Sequence, residues 1–374
     1  MSSKDGPKFT ATIDSWARRL TNCGPLPVKG YNWSCAARDF KTSPWSSPSA
    51  RRATFTLSEW SGRPDETSPK KAQKKMRSKT KMGLLERFKR RSRNGKMNRN
   101  RSINPQFEVL ASIRTDPGCV REMNEDCGVH VQPSNPDWLQ GKGTLTIIAD
   151  GMGGHAAGEV ASRLAAEIIG RRYYEIQADP TESLARAFIE ANRSIYDAAS
   201  SEAQLRGMGT TCTALALCDG QAFIAHVGDS RAYLLRAGRL NLLTEDHSAV
   251  MEMVRQGVIS REEARHHADK NVITRALGTT PEVEISTLGP PLTTRVGDTF
   301  LLCSDGLYDL VEDSEIERVL LEARDIHEAS ERLIALARAR GGHDNITVGI
   351  VELRAADQCA MRASPVTRDL KEVK

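Results

Sequence analysis

Short apolar runs and stretches with a helical period share the chain from about residue 106 to residue 353. Alternating or continuous apolar runs predict strands, and they fall at residues 106–115, 143–150, 211–218, 221–227, 231–236, 299–305 and 346–353. Apolar side chains spaced three and four residues apart are typical of helices, which we predict at residues 158–175, 181–200, 247–270, 314–323 and 326–340. The segment PSNPDWLQGKG, residues 133–143, has the composition of a loop.

The order of these elements favours an α+β fold. Hairpins and helix pairs follow one another without a strict strand–helix alternation, which favours layers built on antiparallel sheets. The dipeptide Asp219-Gly220 between two predicted strands is a hairpin signal. No run of 18 apolar residues occurs, so we expect no transmembrane helix.

Residues 1–101 differ in composition from the remainder of the chain. They hold 25 Lys and Arg against 7 Asp and Glu, and residues 70–101 alone hold 15 basic residues against Glu86. Such a segment cannot bury enough apolar surface to fold, so we predict a disordered basic extension. A solvated tail is one interpretation, and contact with nucleic acid or an anionic membrane through this extension is another.

The remaining residues carry 28 Lys and Arg against 41 Asp and Glu, and we expect them to fold. Residues 102–355 are the predicted folded domain and residues 356–374 a C-terminal tail. The chain has eight cysteines without a CxxC pair, and its first residues lack an apolar signal core. We therefore expect a cytoplasmic protein with buried free thiols, at Cys119, Cys127, Cys212, Cys218 and Cys303.

Acidic residues recur where apolar strands end. Asp150, Asp229 and Asp305 each close an apolar run and are followed by Gly or Ser, and the motifs NED at 124–126 and HDN at 343–345 add further acids. One Asp-Gly after a strand is more often a turn than a ligand site. Five such positions in one domain favour a shared site.

Carboxylates gathered in one place repel one another, and a divalent cation relieves that repulsion. Oxygen ligands alone favour Mg²⁺ or Mn²⁺ over zinc. A site with two such ions activates water for phosphoryl or peptide hydrolysis. Arg121 lies five residues before Asp126, and its planar guanidinium suits a phosphate, although a surface charge is the simpler interpretation of this residue alone.

Six segments resemble, in their order, the bacterial branch of the metal-dependent Ser/Thr protein phosphatases of type 2C. The resemblance covers about residues 107–353. The segments are REMNED (121–126), DGMGGH (150–155), GTT (209–211), GDSR (228–231), SDGL (304–307) and GHDNIT (342–347).

The resemblance implies that residues 102–355 form a phosphatase domain with a four-layer α-β-β-α sandwich of two antiparallel sheets flanked by helix pairs. It also implies hydrolysis of phosphoserine and phosphothreonine by metal-activated water at a dinuclear Mn²⁺ or Mg²⁺ site, with a third, weaker ion. The implied partners are Ser/Thr-phosphorylated proteins, including a Ser/Thr kinase and its targets. No phosphoenzyme is formed in such a reaction.

The resemblance also implies a role for each matching residue. Arg121 grips the substrate phosphate, and the stretch 247–270 is a mobile flap beside the site. Met152 stands where eukaryotic members carry a histidine general acid, so His155 or water is left as the candidate. The implied metal positions are Asp150 between both ions, the Gly151 carbonyl at one of them, Asp305 and Asp344 at the first, Glu125 at the second with Asp126 as a ligand or an outer-shell acid, and Asp229 and Asp309 at the third.

Two alternatives stay open at this point. One is a phosphatase dedicated to a single regulatory phosphoserine, such as that of an anti-sigma antagonist. The other is a non-catalytic binding protein that docks on nucleic acid or membrane through its basic extension. The acidic residues at every main ligand position disfavour the second alternative.

Overall fold

The computed structural model describes residues 31–35, 107–153 and 157–356, and for residues 31–35 it describes the backbone alone. The predicted extension and the predicted tail therefore lie almost entirely outside the described residues. One segment of the extension is described, and it is a strand that pairs antiparallel with residues 129–133. An edge strand offers unpaired backbone groups to such a partner, and disorder of the extension stays a prediction.

The strands of the described residues form two antiparallel sheets. In chain order they are β1 (Tyr31–Cys35), β2 (Phe107–Asp116), β3 (Asp126–Pro133), β4 (Thr144–Met152), β5 (Gly209–Thr210), β6 (Cys212–Cys218), β7 (Gln221–Val227), β8 (Arg231–Arg236), β9 (Arg239–Leu242), β10 (Ser286–Thr287), β11 (Leu292–Thr293), β12 (Thr299–Cys303) and β13 (Ile346–Ala355). The first sheet has the order β1-β3-β4-β6-β7-β10, with β5 paired to β4 and β11 to β7. The second sheet has the order β2-β13-β12-β8-β9.

The helices lie between and after these strands. They are α1 (Pro136–Lys142), α2 (Ala157–Glu175), α3 (Pro180–Ser201), α4 (Ala249–Arg255), α5 (Arg261–Arg265), α6 (Asp305–Tyr308), α7 (Asp313–Glu322) and α8 (Ile326–Ala339), with a 3₁₀ turn at Ala203–Leu205. Helices α2 and α3 pack on the first sheet, while α7 and α8 pack against strands of the second.

Three apolar clusters show how the layers stack. Ile147 belongs to the cluster between the first sheet and its helices, whereas its neighbour Ile148 belongs to the cluster between the sheets. Leu301 and Leu302 divide in the same way between the outer cluster of the second sheet and the central one. Because successive residues of a strand face opposite sides, each sheet is buried on both faces. This arrangement confirms the predicted α-β-β-α sandwich.

Two predicted elements are wrong. Residues 133–143 contain helix α1, which begins at the capping side chain of Asn135 and has Pro136 in its first turn, where proline is favoured. The helix predicted over residues 247–270 is two short helices. Gly257 interrupts it at a φ of 73°, and Ser260 starts α5 with a capping box that stops α4 from continuing.

The cysteine prediction holds in part. None of the five predicted thiols, all of which lie in the described ranges, is in a disulfide, and Cys212, Cys218 and Cys303 are buried. Cys119 is exposed and Cys127 half-buried, which contradicts the prediction for these two. Cys119 is exposed because it lies in the loop between β2 and β3 rather than in an apolar strand.

Within residues 107–153 and 157–356, no helix combines the length and the apolar character that crossing a bilayer requires.

Candidate active site

The centre of the site lies at the ends of β3 and β4. Asp126 stands directly opposite Asp150 in the antiparallel register of these strands. The next residue, Gly151, donates its N–H to the carbonyl of Glu125 at 3.1 Å. A Cβ atom at Gly151 would lie 2.1 Å from the carbonyl oxygen of Gly158, so no side chain fits there. The backbone therefore holds the Glu125–Asp126 segment against Asp150 and Gly151.

Three further acids lie next to the ends of strands in the second sheet. Asp305 begins α6 directly after β12, Asp229 lies in the turn between β7 and β8, and Asp344 precedes β13. Strand β12 pairs with both β8 and β13. Three acids that are far apart in the sequence are thus held on neighbouring strands. The sequence prediction that strand-end carboxylates converge is in agreement with this geometry.

Burial and mutual repulsion raise the pKa of four of these carboxyls. Desolvation raises the pKa of Asp126 to about 6 and that of Asp229 to about 7. The pKa values of Asp150 and Asp305 lie well above the ordinary range, first through burial and then through the charges of the acids around them. A divalent cation among these carboxylates would favour their ionised forms.

Unpaired oxygens test whether this cluster suits a metal. Within the described part of the chain, six buried side-chain polar atoms lack a hydrogen-bond partner, and four of them are carboxylate oxygens of this cluster. Buried polar atoms are normally paired, so four orphaned anionic oxygens in one place fit divalent cations. These oxygens are Glu125 Oε1, Asp126 Oδ1, Asp229 Oδ1 and Asp305 Oδ1.

The side chains of these carboxylates do not already surround a common metal position. No group of three or more acidic, histidine or cysteine side chains in the described ranges already has the geometry of a metal-ligand set. The donors are carboxylate oxygens together with the Gly151 carbonyl, which Mg²⁺ and Mn²⁺ prefer.

Glu125 lies at the start of helix α2. Desolvation raises the pKa of its carboxyl, while the nearby Arg121 and the backbone N–H of Gly158 lower it. The N-terminus of a helix favours a negative charge. Glu125 is therefore positioned from two sides, by the strand pairing of β3 and by α2.

Arg121 reaches the edge of this cluster from the loop between β2 and β3. Its Nη2 donates to Asp344 Oδ2 at 2.8 Å, and 52% of its side chain is exposed. This hydrogen bond is the main cause that raises the pKa of the Arg121 guanidinium. The Arg121 guanidinium is thus half-exposed and tethered to a candidate metal ligand, and its contact with a phosphate stays a prediction.

Three polar residues in these motifs support the acids, and sequence reasoning did not assign them roles. Ser304 donates its hydroxyl to Asp126 Oδ2 at 2.8 Å, and the N–H of Thr347 donates to the Ser304 oxygen at 3.0 Å. The side chain of Asn345 accepts from the N–H of Glu125 at 2.8 Å. All three lie within motifs that the sequence displays, but spacing alone does not show which side chains meet.

Arg231 is a fourth residue of this kind. Its Nη2 pairs with Asp246 Oδ2 at 2.7 Å, and its guanidinium carbon lies 3.6 Å from the centre of the Tyr308 ring. The charge of Arg231 lowers the pKa of Asp229 against the larger effect of burial. A buried cation therefore lies next to the acidic cluster, in the GDSR motif.

Asp309 and His155 complete the predicted set. Asp309, at the end of α6, forms an ion pair with Lys270, and its charge raises the pKa of both Asp229 and Asp305. His155 lies outside the described residues. The acids and Arg121 are thus brought together, while the role of His155 stays a prediction.

Comparison with known proteins agrees with this geometry. Residues 134–362 match a family model described as protein phosphatase 2C. The chain is 43% identical to the serine/threonine phosphatase stp of Listeria innocua over 247 residues, which make up 65% of this chain and 95% of that relative. It is 37% identical to protein phosphatase PhpP of Streptococcus pneumoniae, over 66% of this chain and 98% of the relative.

Solved structures are also similar. The serine/threonine phosphatase PstP/Ppp of Mycobacterium tuberculosis superposes with a TM-score of 0.58 at 37% identity, over 66% of this chain and 99% of that one. The catalytic domain of PstP in complex with two manganese ions has a TM-score of 0.57 at 36% identity, with the same coverage. The chain therefore belongs to the protein phosphatase 2C family, in the branch of the bacterial serine/threonine phosphatases.

Proposed function

We propose that this chain releases phosphate from phosphoserine and phosphothreonine side chains of proteins, by attack of water at a dinuclear Mn²⁺ or Mg²⁺ centre. The observation that carries the proposal is the group of four buried carboxylate oxygens without partners, at Glu125, Asp126, Asp229 and Asp305. They lie where the family resemblance expects metal ligands. Arg121 at the edge of this group adds the positive charge that a phosphate requires.

The ions, when bound, supply a water of lowered pKa and positive charge for the phosphate oxygens. The chain supplies their ligands. Asp150 would hold both ions and the Gly151 carbonyl one of them, Asp305 and Asp344 would hold the first, and Glu125 would hold the second. Asp126, with one oxygen on Ser304 and the other orphaned, is either a ligand or a neighbouring acid that orients one.

The remaining groups bind and orient the substrate. The planar Arg121 guanidinium takes two phosphate oxygens and holds the phosphorus in line with the attacking water and the leaving seryl or threonyl oxygen. The leaving oxygen needs a proton, which we assign to His155 or to water. The rigid strand ends beneath the acids keep this geometry fixed during turnover.

The direct test uses the full-length chain and a phosphothreonine peptide. We expect release of inorganic phosphate with Mn²⁺ that stops with EDTA and in Asp305→Asn, because a neutral amide is a poor ligand for these ions. A matched control is Asp197→Asn, which changes the same group on the exposed face of α3 and keeps full release. A folded chain that releases no phosphate with Mn²⁺, or releases it equally with EDTA, would contradict the proposal.

Three finer proposals concern the choice of metal, a third ion, and the location of the protein with its partners. Mg²⁺ is proposed beside Mn²⁺ because both prefer oxygen donors. A third, weaker ion is proposed at Asp229 and Asp309, supported by the unpaired Asp229 Oδ1. The free thiols of Cys212 and Cys303 support a reducing, cytoplasmic location, where a Ser/Thr kinase and its targets are the proposed partners.

The basic extension lies outside the described residues at all positions that carry its charge. Contact with nucleic acid or membrane through residues 1–101 stays a prediction from composition alone. Salt-sensitive binding to DNA or to anionic vesicles by the full chain, compared with phosphatase activity in the same preparation, tests it independently of catalysis.

A further inference from the structure

The loop between β2 and β3 exposes two apolar side chains, one on each side of Arg121. Val120 is 66% exposed and Met123 is 44% exposed. Single apolar residues on a surface need no explanation. These two, however, flank the guanidinium that touches the candidate metal ligand Asp344, so they border the place where a phosphate would lie.

The backbone of this loop is fixed in place before any substrate arrives. The N–H of Cys119 donates to the Gly342 carbonyl at 2.7 Å. The amide of Asn345 donates to the carbonyls of Pro117 at 3.1 Å and Met123 at 2.9 Å. A loop held at both ends loses little conformational freedom on binding, so contacts made by its side chains contribute directly to affinity.

Gly118 allows the loop between β2 and β3 to pack closely against the backbone of Asp344. Its φ is 78°, and a Cβ atom there would lie 2.2 Å from the carbonyl oxygen of Asp344. The loop therefore packs directly on the strand end that carries Asp344. A side chain on the loop keeps a constant position relative to the acidic cluster.

We infer that Val120 and Met123 form a contact surface for an apolar side chain next to the phosphorylated residue of the substrate. This inference rests on the proposed function. A phosphate bound at Arg121 brings the neighbouring substrate residues close, because each extended residue spans only about 3.5 Å. The unbranched thioether of methionine adapts to side chains of different shape.

The charges on the loop agree with an apolar partner rather than a charged one. Arg121 is committed to the phosphate and to Asp344, and the exposed Glu122 is the only other charged side chain between Val120 and Met123. An acidic neighbour in the substrate is repelled by Glu122, and a basic neighbour gains little from it because ion pairs in solvent are weak. Removing an apolar neighbour from water is the main gain this surface offers.

The test compares two phosphothreonine peptides that differ only in the residues flanking the phosphothreonine, leucine in one and serine in the other. Full-length chain with Mn²⁺ is assayed for kcat/KM on each. We expect the leucine peptide to be preferred about fivefold, the effect of burying part of one leucine side chain. Because both peptides meet the same metal ligands and the same Arg121, their ratio cancels any change in the catalytic centre.

The double variant Val120→Ser, Met123→Ser is expected to bring this ratio close to one. The matched control is Ile189→Ser, which removes a side chain that is 54% exposed on α3 and keeps the wild-type ratio. p-Nitrophenyl phosphate, which has no flanking residues, reports the proposed function separately.

The outcomes are distinct. A wild-type chain that hydrolyses p-nitrophenyl phosphate but treats the two peptides alike overturns the inference and leaves the proposed function standing. A double variant that keeps the wild-type preference overturns it as well. Absence of hydrolysis of every substrate by folded chain with Mn²⁺ overturns both the inference and the proposed function.

Discussion

Lys270, five residues after the end of α5, forms an ion pair with Asp309 at the end of α6. The Asp309 side chain is 12% exposed and that of Lys270 is 32% exposed. A second contact lies nearby, since Arg265 donates to the carbonyl of Tyr308 at 3.0 Å. The segment predicted as a mobile flap is therefore attached to the helix that starts with Asp305.

Removing this ion pair should loosen the flap. We expect Lys270→Ala to increase backbone hydrogen exchange in residues 256–273 of the metal-free chain by about fivefold, the effect of a partly buried pair worth about 1 kcal/mol. Mass spectrometry of the exchanged peptides measures it. Arg255→Ala is the control, because Arg255 pairs with Glu252 inside its own helix and should leave the exchange of these peptides unchanged.

Mn²⁺ adds a second readout of the same contact. Asp309 cannot hold Lys270 and a third ion with the same oxygens, so excess Mn²⁺ should raise exchange of the flap peptides in the wild type. The Lys270→Ala variant should show no such rise. If Mn²⁺ lowers the hydrogen exchange of the flap peptides in both proteins, Lys270 and a metal ion do not compete for Asp309.

The buried carboxyls predict how the stability of the metal-free protein depends on pH. The pKa of Asp126 is raised to about 6 and that of Asp229 to about 7, so between about pH 4 and pH 7 the folded state binds more protons than the unfolded state. The free energy of unfolding should therefore fall as the pH rises through this window. Melting temperatures in EDTA at pH 5 and pH 8 measure the fall, and Mn²⁺ should reverse it at pH 8.

Buried histidines act in the opposite direction, so variants are needed to isolate the carboxyls. The pKa values of His130 and His226 are lowered to about 4 by burial, and this increases stability as the pH rises towards about 6.5. The quantity to compare is therefore how the melting temperature of each variant and of the wild type changes with pH. Asp126→Asn should fall less steeply than the wild type, and Asp197→Asn should follow the wild type. Parallel curves for all three would show that Asp126 is ionised in the folded metal-free protein.

Arg121 should affect substrate binding more than turnover. We expect Arg121→Lys to lower kcat/KM for a phosphopeptide about tenfold, mainly through KM, because an ammonium cannot make the paired contacts of a guanidinium. Arg121→Ala should cost about ten times more. Arg354→Ala, which removes an exposed arginine paired with Glu352 on β13, is the control. An unchanged KM in both Arg121 variants would remove this residue from the phosphate site.

Much of the fold is predictable because strand periodicity is a local property. The buried strand that ends at Asp150, and the one that ends before Asp305, are visible as apolar runs. Strand β3, with the sequence DCGVHVQP, is buried at six of its eight positions, but it mixes apolar with polar residues and so does not show the pattern of a strand. The helix predicted over residues 247–270 is two helices because Gly257 forms a turn and Ser260 then caps a new helix.

For the candidate site, the sequence predicts the acidic residues but not the polar residues that contact them. Asp150, Asp229 and Asp305, which we propose as metal ligands, are visible in the sequence because each closes an apolar run and precedes a small residue. The polar residues that contact these acids cannot be recognised from the sequence. Lys270 reaches Asp309 across 39 residues, and Ser304 reaches Asp126 across 178, and only the folded chain shows which of many polar side chains make such contacts.

Asn345 is another polar residue of this kind, and its contacts predict the effect of replacing it. Its buried side chain accepts from the N–H of Glu125 and donates to the carbonyls of Pro117 and Met123. Asn345→Ala leaves three backbone groups without their partner, each costing about 1 kcal/mol or more. We expect the free energy of unfolding to fall by about 3 kcal/mol in urea titrations. Asn241→Ala, on the half-buried edge strand β9, should cost under about 0.5 kcal/mol.

The same variant separates a purely structural role from a role in positioning the site. Because Asn345 holds both Glu125 and the loop of Arg121, its loss should weaken Mn²⁺ binding and raise KM together, at a temperature where the variant is still folded. Asn345→Asp keeps the acceptor for the Glu125 N–H but loses both donors to the loop carbonyls. It should therefore raise KM while Mn²⁺ affinity, measured by calorimetry, falls less than in Asn345→Ala. Equal losses in both variants would show that the two halves of this contact are not separable.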